Sequence, residues 1–318
     1  MRFYSTTCSD RSSFVTTLCL PQENRQNFSE YYDFVNRLKR RRFKGTLLGC
    51  RYVSCNTRVS YTHFEGNSWC LQVGSLRVFV DPWLVGNLHF GPQFLFSGAK
   101  KSLKDKKLED FGRIDLIVLS QGLPDHTHVP TLEQIDKTIP VAASRKAAEI
   151  CKKLGFKNVQ LLRHGDQFCF RNLVQITAYE GSRVGPPYEV PENGYLFETF
   201  QNFRLFYEPH GNVPEKVLNE LRMKSLDTLV VPVVNAAVKW MGFKFDLIND
   251  PGSVLNIVRH LQPYQLVPLM NNDLNTFGLL SRAIFSKGSL EAFAQSIQVS
   301  GLRTKVINPV IGEAYVLL

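Results

Sequence analysis

The chain has 318 residues, 44% hydrophobic and 21% charged, the values of an ordinary globular protein long enough to bury a sizeable core. Its net charge of +10 does not describe a nucleic-acid surface. Residues 1–58 hold 11 Lys/Arg and 4 Asp/Glu, so +7 lies there and only +3 remains for the other 260 residues, where a basic binding face would be needed. The most apolar stretch, 229–238, is broken by Pro232 and Asn235 and is far short of the roughly 20 apolar residues of a membrane span, so no membrane contact is expected.

Residues 1–58 read as a disordered leader. The first 20 carry eight Ser/Thr and a single acid, Asp10, the pattern of an organelle transit peptide. A secretory signal would need a continuous apolar centre, and Thr16 and Thr17 interrupt it. The expected address is the chloroplast stroma, with mitochondrion or cytosol as the alternatives. The basic run at 37–44 is read as a solvated part of this leader. Seven cysteines include no C-x-x-C pair, which removes zinc-finger and thioredoxin readings, and an odd count suits a reducing compartment. Cys70, Cys151 and Cys169 each sit in an apolar pattern and are expected to be buried thiols.

The folded domain is expected over 59–318. Residues 61–65, 68–73 and 76–80 predict short strands separated by turns at Gly66-Asn67 and Gly74-Ser75, with Asp81-Pro82 ending the third. A long connection at 84–110 has the length of a lid or binding loop. From 114 the pattern alternates: strand 114–119, helix 131–137, strand 140–143, helix 144–154, strand 159–162. Four strands follow at 167–171, 173–179, 194–200 and 203–208. A second alternating stretch has a helix at 214–221 and a buried strand at 229–234. Asp250 then caps a helix with Pro251 in its first turn, a strand lies at 266–270, and Ser289 opens a helix to about 300. Short strands at 306–308 and 314–317 finish the chain. Two halves of this kind predict an α/β fold, a four-layer αβ/βα sandwich with both sheets inside.

The segment with most chemistry is the loop after strand 114–119, which places Asp125, His126 and His128 together at a strand end. Its residues Ser120-Gln-Gly-Leu-Pro-Asp-His-Thr-His128 resemble the Thr-His-x-His-x-Asp-His loop of the metallo-β-lactamase superfamily. Further pieces in the same order carry the likeness: Tyr61-Thr-His63 with Asn67-Ser68, Val80-Asp81-Pro82-Trp83, 181–185, Glu192-Asn-Gly-Tyr195, 205–207 and 266–269. The nearer likeness is to lactonase-like metal-dependent hydrolases, in a plant and cyanobacterial subgroup.

That resemblance implies a metal site, and the chain departs from it. The two alternating histidines of the family loop fall on Gln121 and Leu123. No histidine follows the strand at 173–179, Glu208 and His210 stand where the bridging aspartate would be, and Asn271, Asn272 and Asp273 stand where the last histidine would be. Catalytic zinc usually takes three protein ligands and leaves a fourth position open. The resemblance therefore implies at most one divalent metal (zinc, manganese or iron) or none. Asp125 and His126 are the matched ligands and catalytic candidates, and His128, Glu208 and His210 are neighbours by analogy of fold. The implied activity is hydrolysis of a small ester, lactone or phosphoester. The alternative is a metal-free member that binds a small molecule or a protein in the plastid. Of the remaining histidines, His63 is read as a satisfied structural residue.

Overall fold

The computed structural model describes residues 57–183, 191–240, 243–248, 250–270 and 273–318. The expected leader, up to residue 56, and Asn271 and Asn272 lie outside the described residues.

In chain order the elements are β1 (Val59–His63), β2 (Trp69–Val73), β3 (Leu76–Val80), β4 (Leu88–His89), β5 (Ser97–Ala99), β6 (Leu116–Leu119), α1 (Val129–Gln134), β7 (Val141–Ala143), α2 (Arg145–Lys153) and β8 (Val159–Leu161). There follow β9 (Gln167–Phe170), β10 (Val174–Glu180), β11 (Asn193–Thr199), β12 (Arg204–Tyr207), α3 (Glu215–Arg222), β13 (Thr228–Pro232), β14 (Asn235–Trp240) and β15 (Phe243–Ile248). The last are α4 (Pro251–Leu261), β16 (Gln265–Leu269), β17 (Asn275–Phe277), β18 (Ile284–Lys287), α5 (Leu290–Val299), β19 (Lys305–Val306) and β20 (Ala314–Val316).

Two seven-stranded sheets form the body, in the orders β20-β1-β2-β3-β6-β7-β8 and β19-β16-β13-β12-β11-β10-β9. Each begins as an antiparallel meander and continues as parallel strands, β3-β6-β7-β8 in one and β12-β13-β16-β19 in the other. Side-chain alternation explains why the parallel strands read as unbroken apolar runs. In β6, Leu116 and Val118 point between the sheets, against Tyr195, Phe197 and Tyr207. Ile117 and Leu119 point outward onto Leu132, Ala147, Ala148 and Cys151. In the second sheet Leu229, Val231 and Leu266 face Leu218, Leu221, Val254, Ile257, Phe293 and Ile297. Helices thus cover both outer faces and the two sheets pack inside, the expected αβ/βα sandwich.

Three expectations change. The 84–110 connection is not a bare loop: β4 and β5 join β17 in a three-stranded sheet, and Trp83, Leu88 and Phe96 pack beneath it with Leu274, Leu280 and Ile284. A further sheet, β15-β14-β18, uses residues that carried no strand expectation beyond 234. Cys169 is exposed, because β9 turns Phe168 and Phe170 toward the core and position 169 away from it, whereas Cys70 and Cys151 are buried. No helix among the described residues is long and apolar enough to cross a membrane.

Candidate metal centre

The parallel strands of both sheets deliver their carboxyl ends to one place, as open α/β sheets do. β3 leads into Asp81, β6 into Ser120 and the Asp125-His126 turn, and β12 into Glu208 and His210. Glu192 joins them from the residue just before β11. Asp81, Ser120, His126, Glu192, Glu208 and His210 are all buried.

The turns hold their shape through specific bonds. His126 N–H and Thr127 N–H both donate to the Leu123 carbonyl, and the Thr127 hydroxyl donates to the Gln121 carbonyl at 2.5 Å. Ser68 Oγ donates to the Asp81 carbonyl and accepts from Trp83 N–H, each at 2.7 Å, so the Asn67-Ser68 turn braces the end of β3. Asp81 itself adopts a left-handed φ of 45°, an unusual conformation for a residue with a side chain.

Asp81 is the hub on the first sheet. Its Oδ1 accepts Ser120 N–H at 2.8 Å, and its Oδ2 accepts the Ser120 hydroxyl at 2.5 Å and the Tyr207 hydroxyl at 2.6 Å. The same Oδ2 lies 2.8 Å from His126 Nδ1. This leaves His126 Nε2 facing Asp125 Oδ2 at 3.3 Å, with Asn67 Nδ2 within 3.1 Å of that Asp125 oxygen and 3.2 Å of the nitrogen. The other Asp125 oxygen, Oδ1, is closed off from solvent and has no hydrogen-bond partner among the described residues. Burial alone would lower the His126 pKa, but Asp125 and Asp81 outweigh it and push it up to about 10. Burial would raise the Asp125 carboxyl, and the neighbouring His126 charge holds it below the usual range instead.

His210 enters from the second sheet, its ring 5.2 Å from that of His126. Its Nδ1 lies 2.5 Å from Glu192 Oε1. Burial, reinforced by the His126 charge, pushes its pKa down to about 3. Burial and the adjacent Glu208 charge hold the Glu192 carboxyl well above the usual range. Glu208 accepts four backbone N–H groups: Ser182 at 3.1 Å on Oε1, then His210 at 3.1 Å, Gly211, and Asn212 at 3.0 Å on Oε2. Three of those bonds crowd Oε2 and one reaches Oε1, so the carboxylate is bound chiefly to the backbone of its own turn.

Two groups of ligand-type side chains result, each with its donor atoms within 4.8 Å of one another. One is Asp125, His126 and His210; the other is Glu192, Glu208 and His210. The turns at 125–126 and 208–210 therefore converge.

His128, expected near the ligands, lies outside both groups. It caps α1: Nδ1 accepts Thr131 N–H at 3.3 Å and lies 2.9 Å from the Thr131 hydroxyl, while Nε2 meets the Asn87 carbonyl at 3.1 Å. Both ring nitrogens are thus engaged by the fold. Asp273 also lies elsewhere, ion-paired with Lys101. His63 is buried with Nδ1 near the Tyr61 hydroxyl at 3.2 Å, but its Nε2 has no partner among the described residues. The expectation of a satisfied histidine is thus met at one ring nitrogen only. Asp81, Asn67, Glu192 and Tyr207 carried no assigned role in the sequence. All four fall in segments that carry the family likeness without being named there as ligands; Asp81 had a local signal as well, an acid at a strand end just before proline.

The chain belongs to the family described as the beta-lactamase superfamily domain, whose model matches residues 60–270. No curated protein matches it. Among solved structures it is similar in fold to an isothiocyanate hydrolase from Delia radicum gut bacteria, at 15% identity and a TM-score of 0.60, over 80% of this chain and 98% of that one. A possible metal-dependent hydrolase from Veillonella parvula is similar at 15% identity and 0.60, over 81% and 99%. A metallo hydrolase from the archaeon Ignicoccus hospitalis is similar at 15% and 0.59, over 82% and 98%.

Proposed function

We propose that the protein is a divergent metal-dependent hydrolase of this family that uses one divalent cation, held by Asp125, His126 and His210. The observation that carries the reading is the coincidence of three donor atoms within 4.8 Å with an unpartnered, solvent-closed Asp125 Oδ1. Three mixed carboxylate and imidazole donors are the usual complement of a catalytic site with an open position, and they suit zinc, manganese or iron. A cation bound there would supply Lewis acidity and bring the pKa of a water down to about 7.

The chain's own residues would do the rest. Asp81 holds His126 by Nδ1, with Ser120 and Tyr207 fixing the carboxylate in turn. Asn67 steadies Asp125 from the opposite turn. Glu208 shapes the 208–212 turn through backbone N–H groups and is assigned that role in place of a ligand's. The substrate class we propose, a small ester, lactone or phosphoester, is the one that the resemblance of the 120–128 loop implies.

The test is turnover of p-nitrophenyl acetate, a δ-lactone and bis-p-nitrophenyl phosphate by protein loaded with zinc, manganese or iron. Cation-dependent hydrolysis of one of them, lost in Asp125→Ala, supports the reading. Absence of cation-dependent turnover on all three counts against it.

One observation favours a second reading, a metal-free binding module. His126 between Asp81 and Asp125 forms a charge-compensated set without any cation. Unchanged thermal stability on adding each cation would support that reading. We also propose a plastid stromal location from the leader's composition; a fluorescent fusion of residues 1–58 that stays in the cytosol or enters mitochondria would overturn it.

A further inference from the structure

Glu192 is the buried carboxylate of the centre whose purpose the ligand set leaves open. Its main chain is pinned on both sides: N–H donates to the Ser182 carbonyl at 2.9 Å, and its carbonyl accepts Gly181 N–H at 3.0 Å and meets His164 Nε2 at 3.2 Å. Position 181 is shaped to admit it. A Cβ on Gly181 would stand 3.2 Å from Glu192 Cγ and 3.1 Å from Gly194 N, tighter than ordinary contact. The carboxylate so admitted places Oε1 2.5 Å from His210 Nδ1. Across the cleft, Asp81 stands 2.8 Å from His126 Nδ1, the same relation of carboxylate to ring nitrogen.

We propose that Glu192 is the positioning residue for His210: with its own proton on Oε2, the oxygen turned from the ring, it offers Oε1 as acceptor to Nδ1–H and so leaves Nε2 as a lone pair for the cation. The inference rests on the single-cation reading above. A carboxylate on the far ring nitrogen fixes both tautomer and ring orientation, and loss of such a partner commonly weakens metal affinity 10–100-fold. Glu208 sets the backbone of the turn, and Glu192 sets the ring.

The experiment has two arms on the full-length chain. Calorimetric titration of metal-free protein with zinc gives affinity; the ring nitrogen shifts of His210, from 15N NMR without metal, give its tautomer. Glu192→Gln, which preserves shape and an acceptor, is expected to weaken zinc binding about 10-fold, and Glu192→Ala about 100-fold. Glu192→Asp is expected to fall between wild type and Glu192→Ala. In the NMR arm His210 is expected as the Nδ1–H form in wild type, moving toward Nε2–H in Glu192→Ala. Wild-type affinity in Glu192→Ala with an unmoved tautomer overturns the proposal. Should wild type take up no zinc, the single-cation reading falls. The positioning role, which rests on that reading, falls with it, whereas zinc uptake by wild type that Glu192→Ala leaves unchanged overturns the positioning role alone.

Discussion

His126 and His210 reach the same few ångströms from opposite sheets, each with Nδ1 against a buried carboxylate, yet their surroundings drive their charge in opposite directions. Asp81 has three other donors, and with Asp125 also at hand His126 is held protonated, its pKa up at about 10. Glu192 has a second carboxylate as neighbour, and burial with the His126 charge takes His210 down to about 3. The lesson is that an imidazole–carboxylate contact does not by itself set a charge state; what else touches the carboxylate does.

The sharpest way to break the comparison is to remove its better-built half. Asp81→Ala strands the buried His126 charge and the Ser120 and Tyr207 hydroxyls, and should cost roughly 3–5 kcal/mol in chemical unfolding. A loss under about 1 kcal/mol would mean that the hub is dispensable.

The pH dependence of the metal-free protein separates the two sides next. His210, His63 and His128 all have folded pKa values below the unfolded value near 6.5, at about 3, 4 and 4. Their neutral forms fit the fold, so stability is complete above pH 6.5 and falls as pH drops toward 4, by roughly 3 kcal/mol from His63 alone. His126 has the opposite sign. Its contribution is complete below pH 6.5 and fades as pH rises toward 10. Urea midpoints across this range should show the acid limb, and the wild-type advantage over His126→Ala should shrink from pH 6.5 toward 10; Lys100, held down at about 7 by burial, gains stability over the same span and offsets the alkaline fall in wild type.

Glu208→Gln should cost about 2 kcal/mol, because an amide donor would then face backbone N–H groups that need acceptors. Tyr207→Phe, which removes one of several donors to Asp81, should cost only about 1 kcal/mol in the same measurement.

The layers were legible because they depend on periodicity. The meander of β1–β3, the alternation after 114 and the capped helix at Asp250 follow from local signals that tertiary contacts reinforce. The β4–β5–β17 sheet was not legible, since the three-residue strands β5 and β17 pair across more than 170 positions and the two-residue β4 is too short to leave a periodic trace. Asp125 and His126 stood out because a strand and a polar loop adjoin in sequence. His128 shared that signal, yet two residues beyond His126 it serves as a helix cap, a role that the Thr131 N–H in the first turn decides in three dimensions. Glu192 stood in a segment that carried the family likeness, but its role was not legible because sheet register brings it to His210: Glu180 pairs with Asn193 across β10 and β11, which sets position 192 at the cleft.

Elemental analysis of the full-length protein, reconstituted in turn with zinc, manganese and iron and then desalted, is the most direct test of the centre. One equivalent of one of these cations in wild type and in His128→Ala, lost in both His126→Ala and His210→Ala, is the predicted result. No retained cation in wild type, or a full equivalent kept in His126→Ala and His210→Ala, would contradict it.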